Sequence, residues 1–157
     1  MRLATYEIFT FEELEADAKE NARAWYRDGF DYDWCSESEK SIQYFCDAFG
    51  IKLINWSIDT YRGFDYQTSV NNDAFRGITY KDAEKMKLSD GYCIGELMET
   101  AFKGAFKDRG ALDAFNYAIN LGFQEWLADL RYQESNEYID EALIANEYEF
   151  YADGERV

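Results

Sequence analysis

The sequence predicts an α+β fold: a small antiparallel sheet of about four strands, the N- and C-terminal strands among them, packed with several helices. Three observations predict it. Apolar residues recur at steps of three and four along most of the chain, in stretches that stop at glycines. Two stretches switch to a period of two and carry β-branched and aromatic residues. No proline occurs in the 157 residues, and no linker-like segment divides them, so the chain reads as a single domain, 1–157.

Leu3 to Phe9 alternates as a short strand. Thr10 with Glu13 has the capping-box spacing, and Phe9 with Leu14 the hydrophobic-staple spacing, so a helix is expected from Thr10 to Gly29. Its inward stripe is Leu14, Ala18, Ala22 and Trp25. A polar connection, Asp31 to Ser38, leads into a second helix near Ser36 to Phe49, with Ile42, Phe45, Cys46 and Phe49 inward and Gly50 as its stop. From Ile51 the period is two, and Tyr61 to Val70 reads as the partner strand of a hairpin with its turn at Arg62 and Gly63.

Asn71 to Gly77 reads as loop. Thr79 with Asp82 opens a short helix that ends near Lys87. A longer helix spans about Tyr92 to Arg109 and ends at Gly110, with Lys103, Lys107 and Arg109 near its C-terminus, where cations complement the dipole. The most regular stripe follows, near Leu112 to Gln133: Leu112, Phe115, Ile119, Phe123, Trp126 and Leu130. Ala118, Leu121 and Leu127 widen it, so this helix is expected either at the centre of the fold or shared with a second copy, and the six-residue stripe is the candidate homodimer interface. A last helix, about Asn136 to Asn146, precedes a strand at Tyr148–Tyr151 and a turn at Asp153–Gly154.

Charge narrows the function. The chain carries 32 Asp and Glu against 16 Lys and Arg, a formal net charge of −16, and no histidine. Such a surface repels phosphate backbones and anionic lipid, and attracts basic proteins. With 18% aromatic residues it is no disordered acidic tail. Residues 1–50 carry a net −7, residues 51–109 net zero and residues 110–157 net −9. If the terminal strands pair, the two acidic thirds are brought into one field.

The candidate partner-binding residues lie there: Glu12, Glu13, Glu15, Asp17 and Glu20 on the first helix, and Glu134, Glu137, Asp140 and Glu141 on the last. Rows of like charge at helical spacing destabilise a helix by about 0.2–0.5 kcal/mol per pair. They read either as a surface complementary to a nucleic-acid-binding groove, or as a solubilising face.

Catalysis finds little footing. The commonest general base and metal ligand is missing, no Walker loop, dinucleotide fingerprint or nucleophile elbow occurs, and Cys93 would lack a histidine partner. Cys35, Cys46 and Cys93 form no paired motif, which speaks for a reducing compartment and against zinc. No apolar run resembles a signal peptide or membrane span. The expectation is a cytoplasmic protein of a bacterial host cell, not an enzyme, with no cofactor or metal, no direct nucleic-acid contact and no membrane.

Two segments carry a resemblance. Tyr6-Glu7-Ile8-Phe9-Thr10-Phe11-Glu12-Glu13-Leu14 with Ala18-Lys19-Glu20-Asn21-Ala22 resembles the opening of small phage and prophage proteins, in which a strand leads into a helix beginning Phe-Asp/Glu-Glu-Leu-Ser. Asn146-Glu147-Tyr148-Glu149-Phe150 with Asp153-Gly154 resembles their C-terminal strand. Glu15 stands where Ser is usual, and the aromatic-rich middle carries no resemblance. The group is antitoxin-like and similar to some anti-CRISPR proteins, including inhibitors of type I-F surveillance complexes. The resemblance implies a phage-encoded inhibitor that binds a basic nucleic-acid-binding host complex, a type I CRISPR surveillance complex first of all, and blocks target DNA binding or nuclease recruitment. The alternative is an acidic antitoxin neutralising a basic toxin.

Overall fold

A computed structural model describes residues 5–29 and 35–157. In order it contains β1 (Phe9–Thr10), α1 (Ala16–Asp28), α2 (Cys35–Asp47), β2 (Leu53–Asp59), β3 (Gly63–Thr68), α3 (Tyr80–Lys85), α4 (Cys93–Arg109), α5 (Ala111–Gln133), α6 (Asn136–Ala145) and β4 (Glu149–Phe150). The fold is α+β. Its four strands form two separate antiparallel ribbons, β1–β4 and β2–β3. The chain divides into two compact units, one drawn from Met1–Tyr32 with Leu130–Val157 and the other from Asp33–Asp129. We call them the terminal and inserted units.

In the terminal unit β1 pairs with β4, placing Phe9 opposite Phe150 and Thr10 opposite Glu149. The core comprises Phe11, Leu14, Ala18 and Ala22 from the N-terminal side with Ile139, Leu143 and Phe150 from the C-terminal side, and Phe9 packs against it. The capping-box residues expected to open one long helix close a single 3-10 turn, Phe11–Glu13. The Thr10 amide and hydroxyl both donate to Glu13 Oε1 at 2.9 Å. Leu14 then turns extended, with φ −71° and ψ 148°, and drops into the core, so α1 starts afresh at Ala16. The Leu3–Ala4 start of the expected first strand and the Asp31–Trp34 stretch lie outside the described residues.

Gly154 fixes the C-terminal turn. Its φ is +87°, and a Cβ there would run into the Ala18 carbonyl oxygen and lie 2.9 Å from its carbon. Only glycine lets this backbone approach α1 so closely.

The inserted unit is built around rings. Phe45 of α2, Phe49 in the turn that follows it, Phe102 of α4 and Phe115 of α5 meet edge-on, tilted or stacked, with centroids 4.9–6.0 Å apart. Phe64 and Tyr66 of β3 stack on Phe123, and Trp56 of β2 lies 4.7 Å from Trp126. A bulge between Leu53 and Asn55 shifts the register of β2, so Ile54 faces solvent, 55% exposed, while Trp56 and Ile58 turn inward. The hairpin turns on Asp59, whose carboxylate accepts from the Tyr61 and Arg62 amides at 2.7 and 3.0 Å and is held below its usual range by those bonds. Thr79 and Asp82 form the expected capping box. Gly122 of α5 leaves room for Met98, whose Sδ lies 2.6 Å from where a Cβ would stand.

The stripe offered as a dimer interface is used within the chain itself. Phe115, Ile119, Phe123 and Trp126 are 0–1% exposed, Leu130 is 5% exposed and Leu112 is half-buried. Rings of α2, β2, β3 and the turn after α2 meet Phe115, Phe123 and Trp126, so those members of the stripe are buried within the inserted unit itself. Cys46 behaves as the expected small hydrophobe, its thiol pushed up to about 12, chiefly by burial. Among the described residues no helix is long and apolar enough to cross a membrane.

Candidate protein-docking surface

The terminal unit takes its residues from both acidic ends of the sequence. It carries 16 acids against 6 bases, a net −10 over 60 residues, while the 97-residue inserted unit carries 16 against 10. Its cations are largely spent internally. Arg23 forks onto Asp140, with Nε to Oδ1 at 2.7 Å and the second N–H to Oδ2 at 2.9 Å, and also reaches Glu20 at 3.1 Å. The Asp140 bonds are the first cause holding the Arg23 guanidinium above its ordinary value. Arg27 lies 3.6 Å from Glu20 and donates to the Glu134 carbonyl at 3.3 Å.

Lys19 sits 5.6 Å above the Phe11 ring, and Arg156 lies 4.6 Å above Tyr148 and 5.3 Å above Trp25. A cation held over a ring keeps its charge while neutralising no carboxylate. Four bases of this unit therefore engage only two of its carboxylate side chains, Glu20 and Asp140.

The nine carboxylates named from sequence divide accordingly. Glu13 is folded into its turn, where the Thr10 amide and then hydroxyl hold it below its ordinary value. Glu20 and Asp140 are tied to arginines, and Glu134 is half-buried. Glu12, Glu15, Asp17, Glu137 and Glu141 are exposed and, among the described residues, have no cation partner. Glu137 and Glu141 stand one turn apart on α6, and the phenol of Tyr132 is pushed up first by Glu141, then by burial and by Glu137.

Sequence reasoning missed the acids of the strand ends. A groove of about 440 Å³ beside the β1–β4 ribbon has Phe11, Leu143 and Ile144 as its floor and Glu12, Glu147 and Glu149 on its rim. Glu147 has φ +54°, a left-handed conformation unusual outside glycine and asparagine. A broader cleft of about 670 Å³ carries Glu7, Asp153 and Glu155 beside Tyr6 and Tyr151, whose rings meet edge-on at 5.6 Å. These acids were counted in the charge of the chain ends; naming them required the pairing of the strands.

The surface sets exposed carboxylates around a groove that Phe11, Leu143 and Tyr148 also line. Among the described residues no group of three or more His, Cys, Asp or Glu is placed to hold a metal ion. Compared with known protein families, with curated proteins and with solved structures, the chain matches none.

Proposed function

We propose that the chain is a phage-encoded, non-enzymatic inhibitor whose terminal unit docks on a basic, nucleic-acid-binding host complex, a type I CRISPR surveillance complex in the first instance. One observation carries the reading. The terminal unit gathers the acidic ends of the sequence, and among its described residues Lys19, Arg23, Arg27 and Arg156 turn onto rings and two carboxylates, while Glu12, Glu15, Asp17, Glu137, Glu141, Glu147 and Glu149 stay exposed. A groove lined by lysine and arginine to hold nucleic acid is the surface such a field complements, and charge of this kind steers association as well as strengthening it. Bound there, the carboxylates occupy the cations that target DNA needs, so strands cannot enter or a nuclease cannot be recruited.

The test is displacement. Labelled target DNA is bound to purified type I complex and the chain is titrated in, with fluorescence anisotropy as the readout and a nuclease-recruitment assay beside it. Loss of either DNA occupancy or recruitment at stoichiometric chain supports the reading. No effect on either, together with tight binding to a basic toxin protein, replaces it with an antitoxin role.

A further inference from the structure

The terminal unit sets its own cations on rings in a recurring way. Arg156 lies 4.6 Å above Tyr148 and 5.3 Å above Trp25, two rings that meet edge-on at 5.4 Å. Lys19 and Arg23 each lie 5.6 Å from the centre of Phe11. A guanidinium shared by two edge-on rings is therefore a packing this unit already uses.

A second pair of rings is built alike and has no such cation among the described residues. Tyr6 and Tyr151 meet edge-on at 5.6 Å in the broad cleft of about 670 Å³, where Glu7, Asp153 and Glu155 stand beside them. Tyr6 is 69% exposed, far more than a ring placed for core packing. The three carboxylates are exposed and, among the described residues, have no cation partner.

One wall of the cleft is fixed by its own backbone. The Tyr151 amide donates to the Glu155 carbonyl at 2.8 Å, and the Gly154 amide donates to the Tyr151 carbonyl at 2.9 Å. The Glu155 amide donates to the Asp153 carboxylate at 2.8 Å, and the Asn21 side-chain amide of α1 donates to the Asp153 carbonyl at 2.9 Å. Tyr151, Asp153 and Glu155 thus stand on a turn already ordered before anything binds, which lowers the cost of binding.

Charge alone would admit lysine and arginine equally; the rings separate them. A guanidinium is planar and weakly hydrated, so it lies flat on a tyrosine while its edge forks onto a carboxylate. An ammonium is a strongly hydrated point charge, and contact with a ring strips water from it. On the footing of the docking role above, we propose that this cleft receives an arginine side chain of the protein partner, its guanidinium laid on Tyr6 and Tyr151 and its N–H groups on Glu7, Asp153 or Glu155. The docking surface then selects arginine over lysine.

The test needs no host complex. The capped peptide Gly-Arg-Gly-Arg-Gly is titrated into the intact chain at about 0.15 M salt, where distant exposed charges are screened. Its lysine and citrulline counterparts are titrated alongside, and amide chemical shifts are the readout. Shift changes should centre on Thr5–Glu7 and Tyr151–Glu155. The arginine peptide should bind at least about fivefold tighter than the lysine peptide, and the citrulline peptide should not bind. Tyr6→Leu and Tyr151→Leu should each bring that ratio to about one, with lysine binding within about twofold of the parent. Tyr6 is exposed and outside β1, so its variant keeps the test valid should Tyr151→Leu disturb the turn.

Equal affinity for the two cationic peptides, a ratio that survives Tyr6→Leu, or shift changes centred elsewhere would overturn the arginine site. DNA displacement is scored separately. Displacement without arginine preference overturns the cleft and leaves the inhibitor reading; arginine preference without displacement leaves the cleft and overturns that reading.

Discussion

The two units solve the problem of stability with different materials. The inserted unit packs Phe45, Phe49, Phe102 and Phe115 together and Phe123 with Trp126, all of them buried, and carries 16 acids against 10 bases. Among its described residues the terminal unit buries two phenylalanines, four larger aliphatic side chains and two alanines, yet carries the larger share of unbalanced charge. Excess charge is thus concentrated where the core is thinner. A purely solubilising charge would be expected to spread over the whole surface, or to favour the larger unit. Its location in the smaller one, at some cost in self-repulsion, is what the proposed docking role requires.

Removing the central ring should break the comparison most severely. Phe123→Ala takes away a side chain stacked 4.6 Å from Tyr66 and 5.6 Å from Phe64, and should destabilise by about 3–5 kcal/mol. Urea denaturation checks the size, and hydrogen exchange should show the loss of protection in α2, α4 and α5. In the terminal unit the corresponding weak point is backbone. Gly154→Ala combines a left-handed residue with a methyl driven into α1, and should cost about 2–4 kcal/mol, read from the same denaturation curves.

The smallest effect has the opposite sign. Asp129→Asn should stabilise the chain at neutral pH by about 0.2–0.5 kcal/mol, since Glu125 and Asp129 are like charges one turn apart. The folded chain holds this carboxyl above its unfolded value of 3.8, so the ionised form is the disfavoured one. Its cost is present at neutral pH and disappears as pH falls through the folded value. The difference between parent and Asp129→Asn in thermal midpoint should therefore narrow as pH approaches that range from above.

Much of this was legible in the sequence because local rules acted alone. Glycine stops gave the ends of α1 and α4, the Thr79–Asp82 pair gave the start of α3, and the period change at Ile51 gave the hairpin. Where a local signal met a tertiary one, the tertiary one won. Thr10 and Glu13 specify a helix start, but burial of Leu14 interrupts it after one turn. The stripe of α5 was correctly read as a continuous apolar face. What covers such a face depends on residues distant in sequence, and here the answer is Phe45, Phe64, Tyr66 and Trp56.

The proposed docking surface was legible as charge and not as geometry. Block counts located the excess, but Asp140 and Glu20 look like any other acids until Arg23 is seen to reach both. Glu147 and Glu149 became members of the groove only through the pairing of β1 with β4.

The measurement that bears most directly on the account compares two equal charge reversals for affinity to a purified type I surveillance complex. In one, Glu12, Glu137, Glu141 and Glu149 of the terminal unit become Lys; in the other, Asp47, Asp65, Glu84 and Asp108 of the inserted unit do, all eight being exposed. Each changes net charge by the same amount. The terminal reversal should weaken binding by at least about tenfold, or about 1.4 kcal/mol, with the inserted reversal staying within about threefold of the parent. Equal losses from both would show that net charge alone matters and that the terminal unit holds no docking surface.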